Sequence, residues 1–169
     1  MIIPLENTVP GISEKAFIAK NASVIGNAKI GEHSSVWFGA VLRADCGAIE
    51  VGKNTNIQDN CVVHADPEGK VIIGDNVTIG HGAIVHGCTI KDNVLVGMNA
   101  TVLNDALIGR DSIVGAGALV TQGKKFPERS LILGVPAKVA RELTEEEVGS
   151  IRISADEYVL LANRYKAVI

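Results

Sequence analysis

From residue 18 to residue 120, a branched or long aliphatic residue recurs every sixth position. Ile18, Val24, Ile30, Val36 and Leu42 open the series, and Val51, Ile57 and Val63 follow after a first break. A second break at "HADPEGK" precedes Ile73, Ile79 and Val85. The interval then shortens by one to reach Ile90 and holds through Val96, Val102, Ile108, Val114 and Val120. Neither the 3.6-residue helical period nor the two-residue alternation of a plain strand produces this spacing. A short strand plus a corner does, with one aliphatic per unit facing inward and glycine or asparagine at the turn. One such unit buries nothing alone, so the units must stack. The hexapeptide period predicts a mainly β chain wound into a triangular, single-stranded parallel β-helix. At three units per coil, the series predicts roughly five to six coils.

The pattern changes after "LILGVPAKVAREL". Thr144-Glu145-Glu146-Glu147 has the form of a capping box. Val148, Ile151, Tyr158, Val159 and Leu161 follow at mostly helical intervals, predicting a helix over 145–166 with a candidate break near Ser154. The expected organisation is a β-helix domain over 1–143 and a helical tail over 144–169. The tail packs along the prism or across a neighbour.

With three hexads per coil, every third aliphatic shares a face, and the residue after each points outward. One face then shows Gly31, Gly52, Gly74, Lys91 and Gly109, followed by charged residues, and sees water. The second shows Ala19, Trp37, Gln58, Gly80, Gly97 and Gly115, followed by Lys20, Phe38, Asp59, His81, Met98 and Ala116. The third shows Ile25, Arg43, His64, His86, Leu103 and Thr121. Large apolar residues stand outward on the last two faces, which marks them as interface. Two unlike faces in contact form a heterologous interface, and prism corners of about 60° suit closure after three copies. A homotrimer is expected. The other reading is that the chain's own C-terminal helix covers Trp37, Phe38, Leu103 and Ile25.

Composition narrows the function classes. A net charge of −3 gives no reason to expect nucleic acid or an anionic membrane as partner. No apolar run reaches the roughly 18 residues of a membrane span. The first fifteen residues lack a basic start followed by an apolar run, so no secretory leader is expected. Cys46, Cys61 and Cys88 match no zinc or redox spacing, and reduced cytoplasmic thiols are the default.

The stretch "GHGAIVHG", residues 80–87, carries two of the four histidines. Their separation of five takes the chain around a corner. His86 falls in the same column as His64 and Arg43, one coil apart at about 4.8 Å. His81 falls on the other face, above Asp59 and beside Gln58. If those faces meet between protomers, His64 and His86 of one chain converge with His81 of the next. Three imidazoles suit a catalytic zinc with an open fourth position. His33, at a turn outside both columns, receives no role.

"VLRAD", "NIQDN", the lone His64, "IGHGAIVHG" and "LILGVPAKVAREL" resemble the γ-class carbonic anhydrases and their shorter bacterial and archaeal relatives, from about residue 12 to the C-terminal helix. The resemblance implies a left-handed coil and zinc, or iron or cobalt, on His64, His81 and His86. It implies that Arg43, Asp45 and Asp59 form an ion-pair set across the trimer interface, a set that reads equally as structural. Gln58 and Asn56 are implied to hydrogen-bond the metal-bound water and its product, and Tyr158 to enter the site from the C-terminal helix. The implied reaction is attack of metal-bound hydroxide on carbon dioxide, giving bicarbonate. Two departures concern proton removal. The long acidic loop of the founding members is only "ADPEGK" here, so Asp66 or Glu68 would substitute for its glutamate. Cys46 stands where their arginine motif ends in glutamate. Two other classes remain: an acyltransferase or thioesterase acting on acyl-coenzyme A, which needs one histidine base, and a non-catalytic metal-binding or assembly trimer.

Overall fold

The computed structural model describes residues 1–168. Ile169, the last residue of the expected tail, lies outside the described residues. The chain winds into a left-handed, three-faced parallel β-helix, with one helix, α1 (Glu145–Lys166), laid against it. The histidine face carries Val62–His64, Ile84–His86, Thr101–Val102 and Leu119–Val120. The water face carries Lys70–Ile73, Thr89–Ile90, Leu107–Ile108 and Lys125–Phe126. The helix face carries Phe17–Ile18, Ser35–Val36, Asn56–Ile57, Thr78–Ile79, Leu95–Val96 and Ile113–Val114.

The histidine face also holds Ile2–Ile3 and the first halves of Ser23–Ile30 and Val41–Val51, the water face Gly11–Ile12 and the second halves of those two long strands, and the helix face Ser130–Gly134. Each face thus holds seven parallel rungs, more than the five to six expected. Ile2 and Ile12 extend the inward columns below Val24 and Ile30, while Phe126 and Ile132 extend them above Ile108 and Val114. From Val24 to Val120 every member of the aliphatic series is at most 5% exposed. Burying each contributes about 1.5–3 kcal/mol. Corner residues such as Asn54, Asn60, Asn76, Asn93 and Asn99 have φ between 53° and 59°, a left-handed turn that asparagine tolerates well. Their amides stack between coils, as in Asn54 Nδ2 donating to Asn76 Oδ1 at 3.1 Å.

The two breaks in the period lie at one corner of the prism. The strand Val41–Val51 runs continuously around that corner, and the loop at 65–69 stacks directly above it. A Cβ on Gly47 would lie 2.4 Å from Gly69 O. The breaks therefore build a wall of Asp45, Cys46, Asp66 and Glu68 beside the histidine face.

The Thr144 capping box forms as expected. α1 then runs unbroken through Ser154, correcting the expected interruption. It packs on the strands Phe17–Ile18, Ser35–Val36, Asn56–Ile57 and Thr78–Ile79. Tyr158 and Tyr165 meet Trp37 edge-on, at centroid distances of 5.5 and 5.2 Å. Trp37 is 3% exposed and Phe38 lies against Tyr165, so on this face the apolar column is covered by the chain's own helix and is not open interface. Among the described residues none covers the histidine face in this way, and Val62 and Ile84 remain 41% and 42% exposed on it.

Candidate metal centre

The corner at 80–83 carries the chain from the helix face to the histidine face, so His81 and His86 look out from different sides. Arg43, His64 and His86 pair in register on adjacent rungs. The rings of His64 and His86 lie 5.0 Å apart. His81 stands at the opposite edge of the histidine face, with its side chain 47% exposed.

Acidic groups decide which nitrogen of each ring is free. A carboxylate only accepts hydrogen bonds. His81 Nδ1 lies 2.8 Å from Asp59 Oδ2, so Nδ1 carries the proton and Nε2 the lone pair. His64 Nε2 lies 3.0 Å from Asp45 Oδ1, so its lone pair is on Nδ1. His86 Nδ1 lies 2.9 Å from Asn104 Oδ1, whose amide donates in turn to Asp66 Oδ2 at 2.7 Å, so the lone pair of His86 is on Nε2.

In consequence, with both rings neutral, His64 Nδ1 and His86 Nε2 turn lone pairs toward each other at 3.0 Å, a contact that a shared proton or a metal ion must bridge. Asp66 Oδ1 stands 4.0 Å from the same His86 nitrogen. Such a cluster calls for a cation. Two imidazole nitrogens on one tetrahedral zinc at about 2.0–2.1 Å lie roughly 3.3 Å apart. The observed separation is within a few tenths of an ångström of that value, so the residues present fit a metal ion.

The remaining expected residues form two groups. Arg43 pairs with Asp45 within the chain, whereas Asp59 is held by His81 and by the Phe38 N–H at 3.2 Å. Desolvation of Asp45 works to raise its pKa. Hydrogen bonds from Arg43 and His64, and the Arg43 charge, outweigh that and hold the carboxyl below its ordinary value. Gln58 and Asn56 are buried. Gln58 Oε1 accepts the His81 N–H at 3.1 Å, and Gln58 Nε2 donates to Asn56 Oδ1 at 3.1 Å. Asn56 in turn donates to Thr78 Oγ1 at 2.9 Å. Tyr158 packs on Trp37, and burial, with the negative charges of Asp59 and of a Cys61 thiolate, raises its pKa. Of the two loop carboxylates, Asp66 reaches His86, while Glu68 borders a cleft of about 340 Å³ with Asp45, Cys46 and Lys70. Asp45, Cys46 and His64 bring ligand-type atoms within 4.8 Å of one another. Sequence reasoning missed Asn104. Its signal was the pair Asn104-Asp105, two turn-type residues at a corner that needs only one in the left-handed region.

The family model described as the GMPPB C-terminal domain matches residues 46–148. The chain is 46% identical over 164 residues to gamma carbonic anhydrase 1, mitochondrial, of Arabidopsis thaliana. That match covers 94% of the chain but 60% of the longer plant relative. It is 42% identical over 168 residues to the carbonic anhydrase of Geobacillus kaustophilus, covering 99% of the chain and 92% of that protein. Among solved structures, a hexapeptide transferase family protein from Anaplasma phagocytophilum superimposes with a TM-score of 0.94 at 44% identity, covering 97% of both chains.

Proposed function

The chain belongs to the γ carbonic anhydrase family, and its residues 46–148 to the family of the GMPPB C-terminal domain; from this premise we propose that it hydrates carbon dioxide reversibly to bicarbonate at a metal centre shared between protomers of a homotrimer. The observation that carries this reading is the facing pair His64 Nδ1 and His86 Nε2, 3.0 Å apart. With His81 of the partner subunit they would hold zinc, or alternatively iron or cobalt, whose Lewis acidity brings the pKa of water to about 7.

The chain's own residues do the rest. Asp59 and Asp45 orient His81 and His64 and keep one nitrogen of each available. Gln58, braced by Asn56 and Thr78, fixes the backbone that carries His81 and keeps one amide N–H for an oxygen of substrate or product. Asp66 Oδ1, on a side chain 64% exposed, takes a proton from the site and releases it to water. Tyr158, protonated at neutral pH, closes the helix side of the site.

The trimer is supported by the borders of the uncovered face. His64 and His86 line one edge and His81 the other, so closing that face around a three-fold axis brings unlike edges together. No helix among the described residues is long and apolar enough to cross a membrane. The free thiols of Cys46, Cys61 and Cys88 support a cytoplasmic setting. Acyl transfer needs one histidine base and leaves the facing nitrogens without a purpose.

The test is stopped-flow carbon dioxide hydration by zinc-loaded protein, with His81→Ala as control. Activity above the buffer rate that the substitution abolishes is expected, together with about one metal per chain in the unmutated protein. Metal-replete protein that hydrates no carbon dioxide would overturn the catalytic reading and favour a metal-binding trimer.

A further inference from the structure

We propose that Asn104 is the positioning residue of His86. It presents a carboxamide oxygen to His86 Nδ1 and, anchored by Asp66, selects Nε2 as the nitrogen that meets the metal. The inference rests on the metal reading above, but its first test needs no metal.

The orientation of the amide follows from its partners. Asp66 Oδ2 accepts only, so the group of Asn104 that lies 2.7 Å from it is the NH2. The amide oxygen must then face His86 Nδ1, at 2.9 Å, and can only accept there. The proton is therefore on Nδ1. A reversed amide would place NH2 against Nδ1, move the imidazole proton to Nε2 and close off the nitrogen that faces His64. Asp66 thus acts through Asn104 as Asp45 and Asp59 act directly on the other two rings.

Two further observations separate Asn104 from the ordinary corner asparagines. Asn54, Asn60, Asn76, Asn93 and Asn99 all have φ between 53° and 59° and are explained by the turns they make. At the corner containing Asn104, the left-handed residue is Asp105, with φ 60°, which leaves Asn104 free of that duty. The backbone below also makes room for it. Gly87, with φ 55°, would on gaining a Cβ place it 2.9 Å from Asn104 Nδ2 and 3.1 Å from Cγ. A glycine directly after the histidine and an asparagine one coil above it thus form one fitting.

Outer groups that orient a metal-ligating histidine commonly change affinity by about 10- to 100-fold. The first measurement is long-range 1H–15N correlation of the His86 ring in metal-free protein, for the unmutated chain, Asn104→Ala and Asn104→Asp. The Nδ1–H tautomer is expected in the unmutated chain, a tautomer mixture in Asn104→Ala, and recovery in Asn104→Asp, whose carboxylate still offers Nδ1 an acceptor while exchanging the donor contact to Asp66 for repulsion. The second is zinc affinity by chelator competition, with a loss of about 10- to 100-fold in Asn104→Ala and a smaller loss in Asn104→Asp. An unchanged tautomer in folded Asn104→Ala overturns the positioning role and leaves the metal centre standing. A lost tautomer with zinc affinity unchanged in both Asn104→Ala and His86→Ala overturns the metal centre, and this inference with it.

Discussion

At the scale of single residues, the environments of similar groups differ enough to predict their chemistry. Cys61 is buried, and desolvation pushes its thiol up to about 11. Burial pushes Cys88 up to about 12, against backbone hydrogen bonding that works the other way. Cys46 is exposed. Thiolate is the reactive form, so an alkylating reagent at pH 8 should leave Cys61 and Cys88 unmodified in the folded protein and react with both in denaturant. Peptide mass spectrometry checks this, and modification of either before unfolding would contradict the tight inner column. The three histidines were legible at this scale because a six-residue period assigns each outward residue to a column. Asn104 was not, because its role depends on Asp66, 38 positions away, and on which way an amide points.

Among the elements, the repeat was legible wherever one aliphatic occupies each hexad, and it failed at the ends. Phe126 continues the column in register, but as an aromatic it hid the continuation to Ile132. The breaks in the period were visible too. What they do was not, because stacking two insertions at one corner is a property of the wound chain. The helix start was readable because the capping box is local. Thr144 Oγ1 accepts the Glu147 N–H at 3.2 Å, and Glu147 Oε2 accepts the Thr144 N–H at 2.9 Å. Arg141 adds two contacts of 2.7 Å to the Glu147 carboxylate. Those from Arg141 first, then the Thr144 backbone, lower the Glu147 pKa to about 2 from an ordinary 4.5. A carboxyl depressed in the folded state stabilises above its unfolded pKa and loses that contribution as pH falls through the folded one. Glu147→Gln should therefore lower Tm at pH 7, and the gap from the unmutated protein should narrow as pH falls from 4.5 towards 2. A gap independent of pH would show that charge at Glu147 is not what holds the start of α1.

For the whole molecule, the sequence pointed to two outward apolar faces, and the fold leaves one of them open. Trp37 has the same pattern of neighbours in the sequence whether a partner or its own helix covers it. The choice depends on where α1 docks, and its aromatic stripe meets Phe17, Trp37 and Phe38. That docking leaves the histidine face uncovered, where Val62 and Ile84 lie on adjacent rungs beside His64 and His86. In the proposed trimer, an apolar stripe flanked on one edge by two metal-type histidines and on the other by a third is completed when a second chain brings its far edge to the first. Oligomer and metal site should then fail together. Glutamate at both Val62 and Ile84 sets like charges against one another around the axis without entering the inward column. Light scattering should show the proposed trimer for the unmutated protein and monomer for the double variant, with the β-rich circular dichroism spectrum retained. Zinc should weaken in parallel, although every histidine is still present, because His81 of the partner subunit no longer reaches the site. A trimer that survives both glutamates would mean that the chains meet on another face. Monomers that keep tight zinc would mean that His64, His86 and their acidic neighbours hold the ion alone.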